Sequence, residues 1–167
     1  MDTQPARSEL ERALDLAHRA VGRGERTVSE LRSLLEQKRV GPEAINAAVA
    51  ELCAEGLLDD ARYARRFTED KRELEGWGSE RIARDLRRRG VPPDVIEAAV
   101  GDRTPEAELA TALVLLARRF PKPPRDERDR ERAWRLLVRR GYAPEIAYDA
   151  VRAYERAAAA ADGSRAA

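Results

Sequence analysis

The chain of 167 residues is 38% charged and only 5% aromatic, a composition that predicts helices and excludes a sheet-rich protein. Its mean hydropathy of −0.65 reflects fewer apolar side chains than a compact globule uses, so we expect an elongated body with a large surface. The formal net charge of +1 excludes attraction to nucleic acid by total charge, and the single cysteine excludes an internal disulfide.

Two helices are predicted in the first part of the chain. Apolar residues recur at helical spacing over residues 10–21, and glycines follow at Gly22 and Gly24. Thr27 and Glu30 then form a capping box, in which each side chain satisfies the other's backbone amide, so a second helix is expected to begin there.

A third helix is predicted to begin at the Gly41-Pro42 step, because proline at the first helical position loses no hydrogen bond. Gly56 is expected to end it. The apolar stripe of this helix includes Cys53, so we expect a buried packing thiol there and not a reactive one.

The segment from residue 57 to residue 90 follows with two further helices. Asp59 and Asp60 offer side-chain acceptors for the free amides of a helix start, which predicts a helix over about 59–75. Its apolar side is expected to carry Tyr63, Ala64, Phe67 and Leu74.

The Gly76-Trp77-Gly78 step interrupts the helical pattern and predicts a turn in which Trp77 covers a helix junction. A dinucleotide-binding loop is rejected, because the third glycine and the preceding strand are missing. Ser79 is expected to cap the next helix and Gly90 to end it, and the apolar face of that helix carries Ile82, Ala83 and Leu86.

The Thr104-Pro105 step is expected to start a third group of helices. The first of them is the most apolar in the chain and is broken by the proline-rich segment 121–124. A basic helix is predicted over 128–140, and a last helix begins at Pro144.

A spacing of 51 residues organises the chain, because residues recur in register as Leu35, Leu86 and Leu137 and as Pro42, Pro93 and Pro144. Gly90 and Gly141 are expected to end helices in the left-handed conformation, whereas the first repeat has Arg39, so its turn is expected to differ. The prediction is an all-α protein of three tandem three-helix repeats in an elongated, curved arrangement.

The predicted boundaries are a flexible N-terminus over 1–7, three-helix repeats over 8–56, 57–103 and 104–156, and a disordered tail over 157–167. The first residues lack the basic and apolar run of a secretory signal, and no apolar stretch approaches the roughly 20 residues that cross a bilayer. A cytoplasmic protein is therefore expected.

Catalytic and metal chemistry lack their usual residues. The only histidine, His18, lies in a polar part of a helix and is expected on the surface. With one histidine and one cysteine, a zinc site and a histidine-dependent hydrolase have too few side chains. We therefore predict no enzyme, no cofactor and no metal.

Arginine is the residue type that points to a partner. One set lies on the two helices of residues 57–90 and comprises Arg62, Arg65, Arg66, Arg81, Arg84 and Arg88. Ion pairs with acidic neighbours explain that set equally well. The second set lies in 118–140, where 10 basic residues face only 4 acidic ones, so a partner-facing role is favoured for Arg118, Arg119, Arg135, Arg139 and Arg140.

The stretch LLDDARYARRFTEDKRELEGWGSERIARDLRRRGV resembles the central signature of the RecX family of bacterial recombination regulators. The acidic start of that signature corresponds to Asp59, Asp60, Arg62, Tyr63 and Ala64. Its Gly-x-Gly step and basic helix correspond to Gly76, Gly78, Arg81, Arg84 and Leu86. The three tandem units are similar to the layout of that family over nearly the whole chain.

The resemblance implies a non-enzymatic regulator of homologous recombination and DNA repair. It would bind the RecA filament on DNA and inhibit filament growth, ATP hydrolysis and strand exchange. A monomer is expected, with at most a weak direct contact to DNA. The residues alone leave two alternatives, a DNA-binding protein that uses its three-helix units as helix-turn-helix-like readers and a helical adaptor for an unrelated protein.

Overall fold

The computed structural model describes the backbone over residues 3–101 and 103–165 and the side chains over 9–101 and 103–157. Its described part is all-α, as predicted. The helices are α1 (Thr3–Val21), α2 (Val28–Gln37), α3 (Pro42–Ala54), α4 (Asp60–Glu73), α5 (Ser79–Arg88), α6 (Pro93–Val100), α7 (Pro105–Arg119), α8 (Glu127–Arg140) and α9 (Pro144–Arg165).

Most helix starts lie where the sequence predicts them. The capping box of α2 is complete, with Thr27 accepting from the amide of Glu30 and Glu30 accepting from the amide of Thr27. Proline occupies the first turn of α3 after Gly41, and Thr104 caps α7. Local signals therefore predict where these helices begin.

The start of α5 differs from the prediction. Ser79 is the first residue of the helix and not its cap, because Gly78 supplies the carbonyl oxygen that accepts from the amide of Ile82. The backbone amide of Ser79 donates to the carboxylate of Glu108 at 2.8 Å. A side chain 29 residues further along the chain therefore performs the capping that was assigned to the serine hydroxyl.

The terminal helices extend beyond the predicted repeats. The backbone of α1 begins at Thr3, and that of α9 continues to Arg165. Helix therefore covers most of the segments 1–7 and 157–167, for which flexibility and disorder stay predictions. Residues 1, 2, 166 and 167 lie outside the described residues.

The chain forms two compact units, which do not coincide with the three repeats. The first falls within Met1–Arg66 and Asp85–Ile96, and the second within Phe67–Arg84 and Glu97–Ala167. The helices of the middle repeat therefore contribute residues to both units.

Each unit has its own apolar core. In the first unit α1, α2 and α3 pack against one another, and fully buried positions include Leu31, Leu35 and Leu52. In the second unit α9 packs on α7 and α8, and fully buried positions include Leu116, Leu137 and Ala150. Burial of such apolar surface is the main stabilising contribution in each.

Two expected core residues lie on the surface. Cys53 is exposed, so the prediction of a buried thiol is wrong. The inward stripe of α3 passes through Ile45 and Val49, and each step of four residues overshoots the helical turn of about 3.6, so Cys53 has rotated out of the core. Leu74 is 76% exposed, because α4 ends at Glu73 and no longer holds that residue on the apolar face.

The turn after α2 also corrects an expectation. Arg39 has a φ of 58° and is the one non-glycine residue with positive φ in the described chain. Its turn matches those at Gly90 and Gly141, because Val40 donates to Leu35 as Val91 does to Leu86 and Tyr142 to Leu137. The three turns are therefore alike, and the first adopts the left-handed conformation without glycine.

A polar network joins the start of α2 to the end of α5 in the first unit. The hydroxyl of Thr27 donates to the carbonyl oxygen of Arg89 at 2.7 Å, and the Arg89 guanidinium donates to Glu30 at 3.0 Å.

The amide of Val28 donates to the carboxylate of Asp60 at 2.9 Å. Burial raises the pKa of Asp60, while this hydrogen bond opposes the shift. Asp60 thus helps to cap α2, while Asp59 caps its own helix.

The second unit contains the equivalent contact one repeat later. The amide of Gly78 donates to the carbonyl oxygen of Arg140 at 2.8 Å. These residues lie 51 positions after Thr27 and Arg89. In both units a carboxylate from the next helix group bonds to the first amide of the capped helix. We call these two contacts the repeat junctions.

The repeat junctions explain the choice of glycine at the helix ends. A Cβ atom on Gly90 would overlap Ser29, and one on Gly141 would overlap the backbone of Arg81. Arg39 lies on the exposed surface. Glycine is therefore needed at the two junctions for close approach as well as for positive φ.

Candidate functional site

The arginines of α4 differ in how they are held. Arg62 donates to the carbonyl oxygen of Gly56 at 2.8 Å, and Arg66 forms an ion pair with Glu25 at 2.5 Å. Both side chains are substantially exposed. Arg65 is exposed and makes no hydrogen bond or ion pair with a described residue. Pairing therefore explains part of this set and leaves Arg65 available.

The arginines of α5 show the same mixture. Arg81 stacks on the buried Trp77, with its guanidinium carbon 3.8 Å from the ring centroid. Arg88 is exposed and forms an ion pair at 3.2 Å with Asp85, whose side chain is only 16% exposed. Arg84 is exposed and has no such bond within the described chain. Arg81 therefore has a packing role that the sequence did not predict, and Trp77 covers the helix junction as predicted.

A cavity of about 970 Å³ in the second unit collects several of the predicted arginines. We call it the basic groove. Its walls come from the end of α4, the outer face of α7 and the end of α8, and its described lining has five arginines and two glutamates. The arginines are Arg72, Arg103, Arg118, Arg119 and Arg140.

Three arginines of the basic groove were predicted as partner-binding residues, and two were missed. Arg118, Arg119 and Arg140 belong to the predicted basic set. Arg72 and Arg103 lie in acidic or neutral stretches of sequence, so charge counting along the chain gives no signal for them. Only the packing of α4 beside α7 brings them to the same place.

The groove arginines are held to different degrees. Arg72 donates to the carbonyl oxygen of Val100 at 2.9 Å, and Arg140 donates to the carbonyl oxygen of Glu75. Arg118 and Arg119 are exposed on the last turn of α7 and make no hydrogen bond or ion pair within the described residues. They are therefore the groove arginines with least internal neutralisation.

The cationic neighbours of Glu75 lower the pKa of its carboxylate. A hydrogen bond from Lys71 lowers the pKa of Glu75, and the charges of Arg81 and Arg140 lower it further. Glu75 therefore stays ionised at neutral pH. Its negative charge offsets part of the positive charge at one end of the groove.

The remaining predicted residues lie elsewhere on α8. Arg135 forms an exposed ion pair with Glu131 at 2.5 Å, and Arg139 is exposed. Neither lines the basic groove. The second basic set is therefore divided, with Arg118, Arg119 and Arg140 at the groove and the other two outside it.

The described residues provide no alternative chemical centre of the usual kinds. They contain no group of three or more histidine, cysteine or carboxylate side chains that could hold a metal ion. His18 is exposed. In the same part of the chain, no helix is long and apolar enough to cross a membrane.

Comparison with known proteins identifies the family. Residues 59–100 match the family model described as RecX, second three-helix domain. The chain is 36% identical over 144 residues to the regulatory protein RecX of Deinococcus radiodurans, covering 86% of this chain and 69% of that protein. It is 37% identical to the regulatory protein RecX of Trichlorobacter lovleyi, covering 72% and 80%.

A solved structure gives independent support for the fold. The crystal structure of RecX from Lactobacillus salivarius matches with a TM-score of 0.79 and 16% identity, covering 89% of this chain and 97% of that one. The curated relatives are named regulatory proteins, which agrees with the prediction that the chain is not an enzyme. The resemblance found in the sequence is thus confirmed, and the chain belongs to the RecX family of regulatory proteins.

Proposed function

We propose that this chain regulates the RecA recombinase in homologous recombination and DNA repair by binding the RecA filament on DNA. Bound there, it inhibits ATP hydrolysis, filament growth and strand exchange. The observation that carries the proposal is membership of the RecX family over most of the chain. Supporting it, the conspicuous chemical feature of the described surface is exposed arginine.

The arginines suit a partner that carries carboxylates or phosphates. Arg65, Arg84, Arg118 and Arg119 are exposed and have no internal ion pair in the described chain. Exposed pairs such as Arg135 with Glu131 contribute roughly 0–1 kcal/mol to stability, so a partner carboxylate can replace the internal one at little cost. Such a surface favours electrostatically guided association with an acidic partner.

The direct test is to add the protein to preformed RecA filaments and to measure ATP turnover and strand exchange. Both rates are expected to fall and to reach a plateau as the protein saturates the filament. Excess DNA should be present, so that capture of free DNA does not imitate inhibition. Unchanged ATP turnover at saturating protein would refute the proposal.

Charge reversal separates partner binding from folding. Replacing Arg65 and Arg84 by glutamate is expected to weaken inhibition by roughly tenfold while leaving helicity intact, because neither side chain supports the fold. The matched control is the double variant Arg23→Glu and Arg156→Glu, which changes the net charge equally at exposed positions outside the predicted set. Equal loss in both variants would indicate a nonspecific charge effect.

Duplex binding without RecA tests the competing DNA-reader function. That function predicts tight binding with a steep salt dependence, because each phosphate contact releases counterions. Weak binding together with strong inhibition of filaments supports the RecA proposal. Tight binding without filament inhibition would favour the DNA reader.

A further inference from the structure

The basic groove combines cationic side chains with exposed aliphatic ones. Its arginines lie beside Leu74, which is 76% exposed, and Val114, which is 60% exposed. Among the exposed large hydrophobic residues of the described chain, the other two are Leu57 and Tyr148. These aliphatic side chains offer an apolar contact to a partner that also binds the arginines.

The two glutamates of the described lining offset only part of the positive charge of the groove. Arg118 and Arg119 have no internal ion pair in the described chain, and Arg140 donates to a carbonyl oxygen, which carries no net charge. Arg118 and Arg119 lie on the last turn of α7, where the negative end of the helix dipole favours cations. Both side chains remain exposed to solvent. The groove therefore suits an anionic occupant.

The lining residues favour an acidic peptide over single-stranded nucleic acid as the anionic occupant. Single-stranded nucleic acid is usually held by aromatic side chains on which bases stack, and none of the described lining residues is aromatic. A phosphate backbone also has no donor to place against the carboxylates of Glu73 and Glu75. A peptide has backbone N–H groups for these carboxylates, acidic side chains for the arginines and aliphatic side chains for Leu74 and Val114.

We propose that the basic groove binds an acidic peptide segment that carries aliphatic side chains. This inference rests on the proposed function, because the segment would belong to the protein that the chain regulates. The groove volume of about 970 Å³ is at the upper end of the range for sites that hold one small ligand or a few side chains. Arg118 and Arg119 bind the carboxylates, while Leu74 and Val114 contact the aliphatic groups.

The experiment uses the full chain and a fluorescein-labelled peptide in which glutamates alternate with leucines. Fluorescence anisotropy is expected to show saturable binding that weakens as salt screens the charges. Versions with glutamine for glutamate and with serine for leucine are each expected to bind roughly tenfold more weakly. Absence of saturable binding, or equal binding of the glutamine version, would overturn the inference.

Variants locate the binding in the groove. Arg118→Glu with Arg119→Glu is expected to weaken peptide binding by more than roughly tenfold, and Leu74→Ser with Val114→Ser by roughly fivefold. The glutamine versions of the two arginines serve if charge reversal disturbs the end of α7.

A control pair carries the same charge change outside the groove. Arg125→Glu with Arg128→Glu alters exposed residues that do not line it and is expected to leave peptide binding unchanged. A loss as large as that of the groove variants would show nonspecific attraction and overturn the inference.

Two further measurements separate the possible failures. Labelled oligothymidylate is expected to bind weakly, and its tight binding with the same sensitivity at Arg118 and Arg119 would identify a nucleic-acid site instead. RecA ATP turnover is measured with the same proteins. Inhibition without peptide binding would sink only the groove inference, whereas peptide binding without inhibition would sink the RecA proposal and keep the groove.

Discussion

Replacement of Gly90 by alanine is expected to open the repeat junction of the first unit. The new Cβ atom would overlap the Cβ and hydroxyl of Ser29, which α2 holds in place. Relief requires the α5 turn to move away, which would stretch the 2.7 Å hydrogen bond from Thr27 to the carbonyl oxygen of Arg89. Thr27 is fully buried, so its hydroxyl has no water to replace that acceptor.

The loss of stability can be worked out from these parts. A non-glycine residue in the left-handed conformation costs about 1 kcal/mol. Overpacking against Ser29 adds roughly 1–3 kcal/mol, and an unmade buried hydrogen bond adds a similar amount. Gly90→Ala is therefore expected to lower the free energy of unfolding by about 4 kcal/mol.

Two comparison variants isolate the overlap. Gly56 has a φ of 70° and nothing within 4 Å of its added Cβ, so Gly56→Ala should lose only about 1 kcal/mol. Adding Ser29→Gly to Gly90→Ala removes the overlapping atoms, because the Cα atom of residue 29 lies 3.9 Å from the new Cβ. The double variant should lose about 2 kcal/mol of unfolding free energy, from the left-handed alanine and the glycine within α2.

Urea unfolding followed by far-ultraviolet circular dichroism measures all three variants. The reasoning fails if Gly90→Ala costs no more than Gly56→Ala, or if Ser29→Gly gives no recovery. The first result would mean that the turn does not approach α2 closely. The second result would mean that overlap with Ser29 does not cause the loss of stability.

Three further variants or conditions test other parts of the fold. Arg39→Gly should raise the free energy of unfolding by about 1 kcal/mol in urea, because it relieves the left-handed strain at an exposed site; destabilisation would contradict this. Burial raises the pKa of Tyr142 from 10.0 to about 12. The unfolded chain therefore loses this proton first, so stability should fall from pH 10 to pH 12 in wild type and less in Tyr142→Phe. Asp60→Ala should cost about 1–2 kcal/mol in thermal unfolding by leaving the Val28 amide unpaired, and Asp60→Asn should cost less because it keeps an acceptor.

Local signals made much of the fold predictable. The capping box at Thr27, the prolines at helix starts and the left-handed glycines act within a few residues, and the structure has them as predicted. The 51-residue spacing placed equivalent positions in register, and the turns at Gly90 and Gly141 are alike. Short-range rules suffice where the partner atoms are close in sequence.

Long-range contacts explain what sequence patterns missed. Glu108 caps α5 from 29 residues away, and Asp60 bonds to the start of α2 from 32 residues away. Arg72 joins the basic groove only because α4 ends beside α7. Leu74 and Cys53 occupy apolar positions by periodicity, but Leu74 follows the last residue of α4 and Cys53 has rotated past the buried face of α3.

The repeat junction also limits how the fold can grow. Each junction joins the start of one helix to the end of its counterpart in the next repeat, a head-to-tail contact that identical copies could in principle extend without closing. Arg39 occupies the turn position at which Gly90 and Gly141 allow a neighbouring helix start to approach closely. At the other end of the series, α8 begins at Glu127, three residues before the position equivalent to Val28. An extra helical turn therefore occupies the place of the helix start that forms a junction in the first two repeats. We therefore expect neither outer position of the series to form a junction with a second copy of the chain.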